Sequence, residues 1–302
     1  MAEITAAMVK QLREMTGAGM MDCKAALGET GGEMEAAVDW LRKKGLAKAA
    51  KKSGRTASEG LVAVSVRKEG AGAKGVVVEV NSETDFVARN EIFQKMVARI
   101  ADAALATSGD LDAVRGAPFP GAGKSIEKHI AEMVGQIGEN LSLRRSAALS
   151  VDEGAVASYV HGRVVDGAGR IGVIVALKSK GDKAKLEALG KKIAMHAAAA
   201  RPLAGTIEDL DPAVVKREKE VLAEQARGSG KPENIIDKMV EGRLRKFYEE
   251  VVLVEQIYVI DGETPIRKVI ENAARDVGAP VEFGGFVRIE LGEGVEKKDD
   301  ED

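Results

Sequence analysis

Gly121-Ala122-Gly123-Lys124-Ser125 ends the way a phosphate-binding loop ends, and it is the first stretch to test for nucleotide chemistry. Such a loop cradles phosphates with backbone N–H groups and needs a further glycine five residues before Gly123. That position is Pro118, and Ala117-Pro118-Phe119-Pro120 makes a poor strand because proline withholds its ladder donor. The pentapeptide is therefore expected to end a loop and cap the helix that follows. The three histidines, His129, His161 and His196, have no Cys or Asp at ligand spacing. Cys23 is the only cysteine, which excludes an internal disulfide and a Cys-rich metal site. No Ser/His/Asp or Cys/His order can be argued, so neither bond-making chemistry, metal nor cofactor is expected.

What remains is the chemistry of contact. The chain has six Phe, three Tyr and one Trp in 302 residues, so each large aromatic raises a question. Thr84-Asp85-Phe86-Val87 follows Val76-Val77-Val78-Glu79-Val80, a β-branched run bracketed by Gly75 and Asn81 that reads as a buried strand. Thr84 or Ser82 can cap a following helix, with an acidic residue in its first turn, and Met96, Val97, Ile100 and Ala104 supply its apolar stripe. Phe86 thus stands where a strand becomes a helix. It either staples the helix start to the sheet, which spacing alone favours, or faces outward to a partner. Thr16 to Leu27 poses the same choice. Its glycines make a tight helix-to-helix turn, and Met20-Met21 follows at once. Adjacent helical residues cannot both face one core, so either one methionine is presented to a partner groove or both pack around the curved turn.

These residues need elements to hold them. Residues 4–45 read as three short helices: Met8, Val9 and Leu12 share a face of the first, Asp22 to Leu27 forms the second, and Met34, Ala37, Val38 and Leu41 line a third that stops at Gly45. Arg42 to Arg55 then holds seven basic residues and no acidic one. With no aromatic to stack on bases, it suits a solvated linker or a helix extension rather than a nucleic-acid site. Gly75-Val76-Val77-Val78-Glu79-Val80 is echoed by Gly172-Val173-Ile174-Val175-Ala176-Leu177. Each run is preceded by a strand candidate, Leu61 to Arg67 and Ser158 to Val164. Each is followed by a helix, Asn90 to Thr107 and Lys183 to Ala200. Strand, turn, strand, helix, twice over, predicts an α+β fold with two related subdomains and antiparallel sheets. Ile126 to Ile137 adds a helix and Leu141-Ser142-Leu143 begins a strand. Pro212 to Glu250 reads as an antiparallel helical hairpin projecting from the body, turning at Gly228-Ser229-Gly230-Lys231-Pro232 with the proline in the next helix's first turn. Thr264 to Ala274 is a further helix, Val281 to Leu291 a final strand, and the acidic end is expected to be disordered.

Composition narrows the classes. Hydrophobic content of 45%, charged content of 31% and a formal charge of −3 give no reason to expect a nucleic-acid or membrane partner. Met-Ala-Glu-Ile-Thr lacks a signal peptide's pattern, and no run approaches the ~20 apolar residues of a membrane span, so a cytoplasmic location is expected.

Thr16 to Leu27, the elements around Thr84-Asp85-Phe86-Val87, Ile137-Gly138-Glu139-Asn140, Tyr159-Val160-His161-Gly162 and Ile193-Ala194-Met195-His196, in this order over nearly the whole chain, resemble the bacterial elongation factor Ts family. The resemblance implies a ubiquitin-associated-like (UBA-like) three-helix domain with a basic linker over 1–55 and core subdomains over 56–150 and 151–211. It implies a coiled-coil hairpin over 212–250, a return segment over 251–292 and an acidic tail over 293–302. Some members carry a further C-terminal helix that touches their partner, whereas this chain ends soon after its last strand. The activity implied is guanine-nucleotide exchange on elongation factor Tu during translation elongation. Thr84, Asp85, Phe86 and Val87 would approach the partner's Mg²⁺ and phosphate side, with Phe86 inserting between side chains and Asp85 helping to displace the groups that hold Mg²⁺. Met20 and Met21, together with Leu12, would dock the N-terminal domain, and His161 would make a contact from the second subdomain. Self-association through the hairpin stays open. A nucleotide-binding enzyme would need the Gly121 to Ser125 loop, and a passive scaffold would bind without speeding nucleotide release.

Overall fold

A computed structural model describes residues 4–16, 18–228 and 232–296. Three helices come first: α1 (Ala6–Thr16), α2 (Met20–Glu29) and α3 (Met34–Lys52). Leu12, Cys23, Ala26, Leu27 and Ala37 are buried completely between them. The third helix does not stop at Gly45. It runs on to Lys52, so the basic stretch becomes its last turns. At Gly45 α3 crosses α7 (Ile126–Ile137), and it is Gly135 whose Cβ would clash, lying 2.6 Å from Gly45 Cα. Gly17, part of the expected first turn, lies outside the described residues.

The core is two antiparallel sheets packed face to face, with helices on both outer sides. β1 (Glu59–Glu69) and β2 (Gly72–Ser82) form a hairpin. After α4 (Asp85–Ala88), α5 (Glu91–Ala104), α6 (Leu111–Gly116) and α7, the strand β3 (Ser142–Val151) pairs with β2. The second sheet holds β4 (Gly154–His161), β6 (Ile171–Lys178) and the last strand, β7 (Glu282–Glu290); the short β5 (Ala168–Gly169) joins the first sheet beside β1. Val76, Val78 and Val80 face α5 and α7, while Val77 faces the other sheet; Val173 and Val175 face α8 (Lys183–Ala200), while Ile174 and Ala176 face back. Burial on both faces explains why these strands read as unbroken apolar runs rather than alternating ones.

The internal repeat is physical. β1-β2-β3 and β4-β6-β7 have the same antiparallel order, and each middle strand carries a register shift at the equivalent place, Glu79/Val80 and Ala176/Leu177. The paired glycines also match. A Cβ on Gly75 would meet Val156 at 2.6 Å, and one on Gly172 would meet Val62 at 2.7 Å, so both glycines let the sheets close on each other. Where the second copy has Ala176, the first has Glu79, fully buried between the sheets. The bulge leaves Arg144 opposite no residue, and this lets consecutive arginines reach one carboxylate. Arg144 Nη1 lies 3.1 Å from Glu79 Oε2, Arg145 Nε donates to the same oxygen, and Gly292 N–H donates to Oε1 at 2.8 Å.

Several boundaries differ from the sequence reading. The strand expected over Ser158 to Val164 is Gly154–His161, ending at Gly162 with φ +61°. The helix expected over Thr264 to Ala274 splits into α11 (Ile266–Asn272) and α12 (Ala274–Val277). Two helices, α9 (Pro212–Arg227) and α10 (Glu233–Val251), pack side by side through Leu222, Ala226, Ile236 and Val240. Pro232 occupies the N-cap of α10 rather than its first turn, and residues 229–231 of the expected turn lie outside the described residues. Glu293, assigned to the acidic tail, is instead engaged: its carboxylate accepts from Arg145 at 3.1 Å, and its carbonyl accepts from Arg144 at 2.6 Å. Residues 297–302 lie outside the described residues. No helix among the described residues is long and apolar enough to cross a membrane.

Candidate functional site

The groups that might have done catalysis are otherwise engaged. Lys124 is ion-paired with Glu132, and Phe119 N–H donates to the Lys124 carbonyl at 2.8 Å. Ser125 caps α7, as its place in the loop predicts. His129 stacks on Phe119 with ring centroids 3.7 Å apart, and burial, helped by the Lys124 charge, holds its pKa below the ordinary imidazole value. His196 is buried in α8. Its Nε2 is 2.9 Å from Gln256 Oε1 and its Nδ1 accepts from Val259 N–H at 3.2 Å, so the ring is neutral with its proton on Nε2. Burial pushes its pKa down as well. Among the described residues no group of His, Cys, Asp and Glu could hold a metal.

The candidate site is built outward from Thr84 to Ala88. Four helical residues make one turn, and a single turn does not hold itself. Val87 and Ala88 point into the first core, and Asn90 then restarts the chain as α5, its side chain accepting from Ile92 N–H at 2.9 Å and Phe93 N–H at 3.3 Å. Phe93 fills the core completely. That leaves Phe86 outside: it is 77% exposed, so the staple that spacing favours does not form. The expected single helix breaks at Arg89-Asn90, and this break turns Phe86 away from the sheet. Asp85 beside it is half-exposed and pairs with Arg89 at 3.1 Å, a surface pair of small energetic weight.

The turn is braced from behind by residues distant in sequence. Gly138 ends α7 in the left-handed conformation (φ +90°), a common glycine role, and so turns Glu139 and Asn140 back toward β2. The Thr84 N–H donates to Glu139 Oε2 at 2.9 Å and the Thr84 hydroxyl donates to Oε1 at 2.6 Å. In return, Asn140 N–H donates to Glu83 Oε1 at 2.6 Å. Ser82 donates to the Thr84 carbonyl at 2.9 Å, Asn140 Nδ2 donates to the Arg55 carbonyl at 2.8 Å, and Lys52 at the end of α3 donates to the Gly138 carbonyl. Thr84–Val87, Ile137–Asn140 and the α3 end therefore form one assembly. Neither Glu83 nor Glu139 was assigned a role from the sequence, although Glu139 lies in one of the motifs that carry the resemblance. The only local signal was a Gly-Glu-Asn following an amphipathic helix, and the pairing itself is long-range.

The remaining candidates stand on other elements. Met20 and Met21 open α2 and are 58% and 75% exposed, and Met15, across the turn, is exposed too. Leu12 is fully buried in the three-helix core, packed with Cys23 and Leu27, so it supports the helices that carry Met20 and Met21. His161 is exposed at the end of β4, with its Nδ1 3.3 Å from the Tyr159 hydroxyl.

The α+β body thus presents an exposed aromatic side chain from a braced turn and exposed methionines from its N-terminal helices. The sequence profile of the family described as Elongation factor TS matches residues 83–293. Elongation factor Ts of Rhodospirillum centenum is 62% identical over 297 residues, covering 98% of this chain and 95% of that protein. Elongation factor Ts of Rhodospirillum rubrum is 61% identical over 300 residues (99% and 96%), and that of Parvibaculum lavamentivorans is 61% identical over 299 (99% and 96%). The chain belongs to the elongation factor Ts family.

Proposed function

We propose that this chain is a guanine-nucleotide exchange factor for elongation factor Tu in translation elongation, acting in the cytoplasm without making or breaking bonds. The observation that carries the reading is Phe86, exposed beside Asp85 on a turn fixed by its neighbours. A factor that binds the nucleotide-free partner better than the GDP form must weaken GDP by the same factor by which GDP weakens it. Phe86 wedges between partner side chains, and Asp85 draws away groups that hold Mg²⁺, with Thr84 and Val87 setting their approach. Losing the metal exposes phosphate charge that it had neutralised, and GDP leaves. Met20, Met21 and His161 add contacts at a distance from the turn, so the interface should exceed the ~1,200–2,000 Å² of a standard one.

The division proposed for these tasks is a UBA-like docking unit with its basic linker (1–55), core subdomains (56–150 and 151–211, with a return over 251–292) and a coiled-coil hairpin (212–250) with room for self-association. The test is release of a fluorescent GDP analogue from elongation factor Tu, read beside complex formation. Catalytic acceleration at substoichiometric amounts supports exchange. Stable binding with no acceleration refutes it and leaves a scaffold.

A further inference from the structure

We infer that Glu139 is a positioning residue for exchange: its carboxylate holds the Thr84 junction so that the Asp85-Phe86 turn is already in its docking orientation before the partner arrives. This rests on the exchange reading above. Thr84 occupies the N-cap of α4, where a threonine hydroxyl ordinarily accepts from the helix's own N–H groups. Here it makes no such cap and donates to Glu139 instead. The hydroxyl therefore adds nothing to α4 itself and fixes how α4 sits against the α7–β3 connection. Both oxygens of Glu139 are engaged by Thr84, a two-point contact that sets orientation as well as distance.

The contact is reciprocal, since Glu83 on the same junction accepts from Asn140 N–H, so the segments 83–84 and 139–140 lock each other. Without the lock, α4 keeps its core contacts through Val87 and Ala88, the Ser82 bond to the Thr84 carbonyl and the Gln94 bond to the Ala88 carbonyl at 3.0 Å, but loses the tie from the Thr84 junction to the α7–β3 connection. A loose turn must be ordered at the moment of docking, which weakens binding, whereas a preset one carries that cost within the folded protein. A purely structural brace would act on stability. A positioning residue acts through Phe86, and the two can be separated.

The experiment measures GDP release from elongation factor Tu by the full chain, its Glu139→Ala, Glu139→Gln, Thr84→Val and Phe86→Ala variants, and the Glu139→Ala/Phe86→Ala double variant, with melting of each. Glu139→Ala should slow exchange by about tenfold in the wild-type background and by less than about twofold once Phe86 is gone, because residues acting through one braced segment are not additive. Glu139→Gln keeps an oxygen for the Thr84 N–H and an amide for its hydroxyl, and should stay within about threefold of wild type. Thr84→Val, which keeps the side chain's shape and removes the hydroxyl, should follow Glu139→Ala in direction. Equal losses in both backgrounds, or no loss in Glu139→Ala or Thr84→Val, overturn the inference while leaving exchange by Phe86 intact. No acceleration by the wild-type chain sinks the exchange reading itself, and the inference with it.

Discussion

Replacing Gly135 by alanine should loosen the three-helix unit from the core, while the same change at Gly45 should leave it seated. Alanine in a helix interior is favoured over glycine by about 1 kcal/mol at either position. At Gly45 the new Cβ would find Gly135 Cα at 3.8 Å and the Glu132 carbonyl at 4.0 Å, ordinary contact, so a gain of about 0.5–1 kcal/mol survives. At Gly135 it would meet Gly45 Cα at 2.6 Å and the Gly45 carbonyl group at 3.4 Å. Backbone cannot rotate away, so the helices must part, and overpacking of this kind costs about 1–3 kcal/mol. The helix α7 is anchored in the core and keeps its own gain. The loss falls on the docking of α3, including the Arg42–Glu132 pair at 3.0 Å and the bond from Lys52 to the Gly138 carbonyl. Hydrogen exchange of the α3 amides around Gly45 reads the outcome directly. Protection should fall about 5- to 150-fold in Gly135→Ala, the factor that about 1–3 kcal/mol implies, and hold or rise in Gly45→Ala. Equal protection in the two variants would refute the crossing as the point that seats the unit.

Glu79→Ala should cost about 3 kcal/mol, measured by urea unfolding, because it removes the buried acceptor shared by Arg144, Arg145 and the Gly292 N–H and leaves the two arginines only Glu293 and the Glu290 carbonyl; a change under about 1 kcal/mol would mean that those partners and water suffice. Met20→Gln with Met21→Gln should weaken partner binding while changing stability by less than about 0.5 kcal/mol, whereas Leu12→Ala should cost about 2–5 kcal/mol of the fold, both read by melting beside titration calorimetry. Burial lowers the folded pKa of His196 and His129 below the unfolded value of about 6.5. The unfolded chain therefore binds their protons first. The stability tied to the neutral rings is complete above about pH 6.5 and is lost as pH falls below that toward the folded values. Melting between pH 7 and pH 5 should show this decline, and His129→Gln with His196→Gln should flatten it.

The apolar runs at Val76 and Val173, the repeat that relates them and the long amphipathic helices were legible because each is a local pattern with its own period. The helix over Lys183–Ala200 and the one over Ile126–Ile137 have the ends that the sequence indicates. Gly45 misled because its meaning depends on Gly135 in another helix, and helix crossings leave no local mark. Glu79 was passed over inside a strand because its arginines come from a bulge in β3. At the candidate site the motif around Phe86 was visible but its direction was not. Outward exposure follows from Asn90 restarting the helix, and the brace from Glu83 and Glu139 is made across more than fifty residues of chain. The apolar spacing of Leu12 with Val9 placed it on a shared helix face, and that face is buried.

The central claim is that Phe86 carries its weight in the partner rather than in its own fold. A ring 77% exposed contributes little to stability, whereas an aromatic anchor buried at an interface is worth upwards of about 2 kcal/mol, or roughly 30-fold. The decisive measurement is stopped-flow release of labelled GDP from elongation factor Tu by wild type and Phe86→Ala, with the melting curve of each. Release should slow by about 30-fold or more in Phe86→Ala, with melting unchanged. Release at the wild-type rate, or a loss of rate matched by a loss of fold, would contradict it.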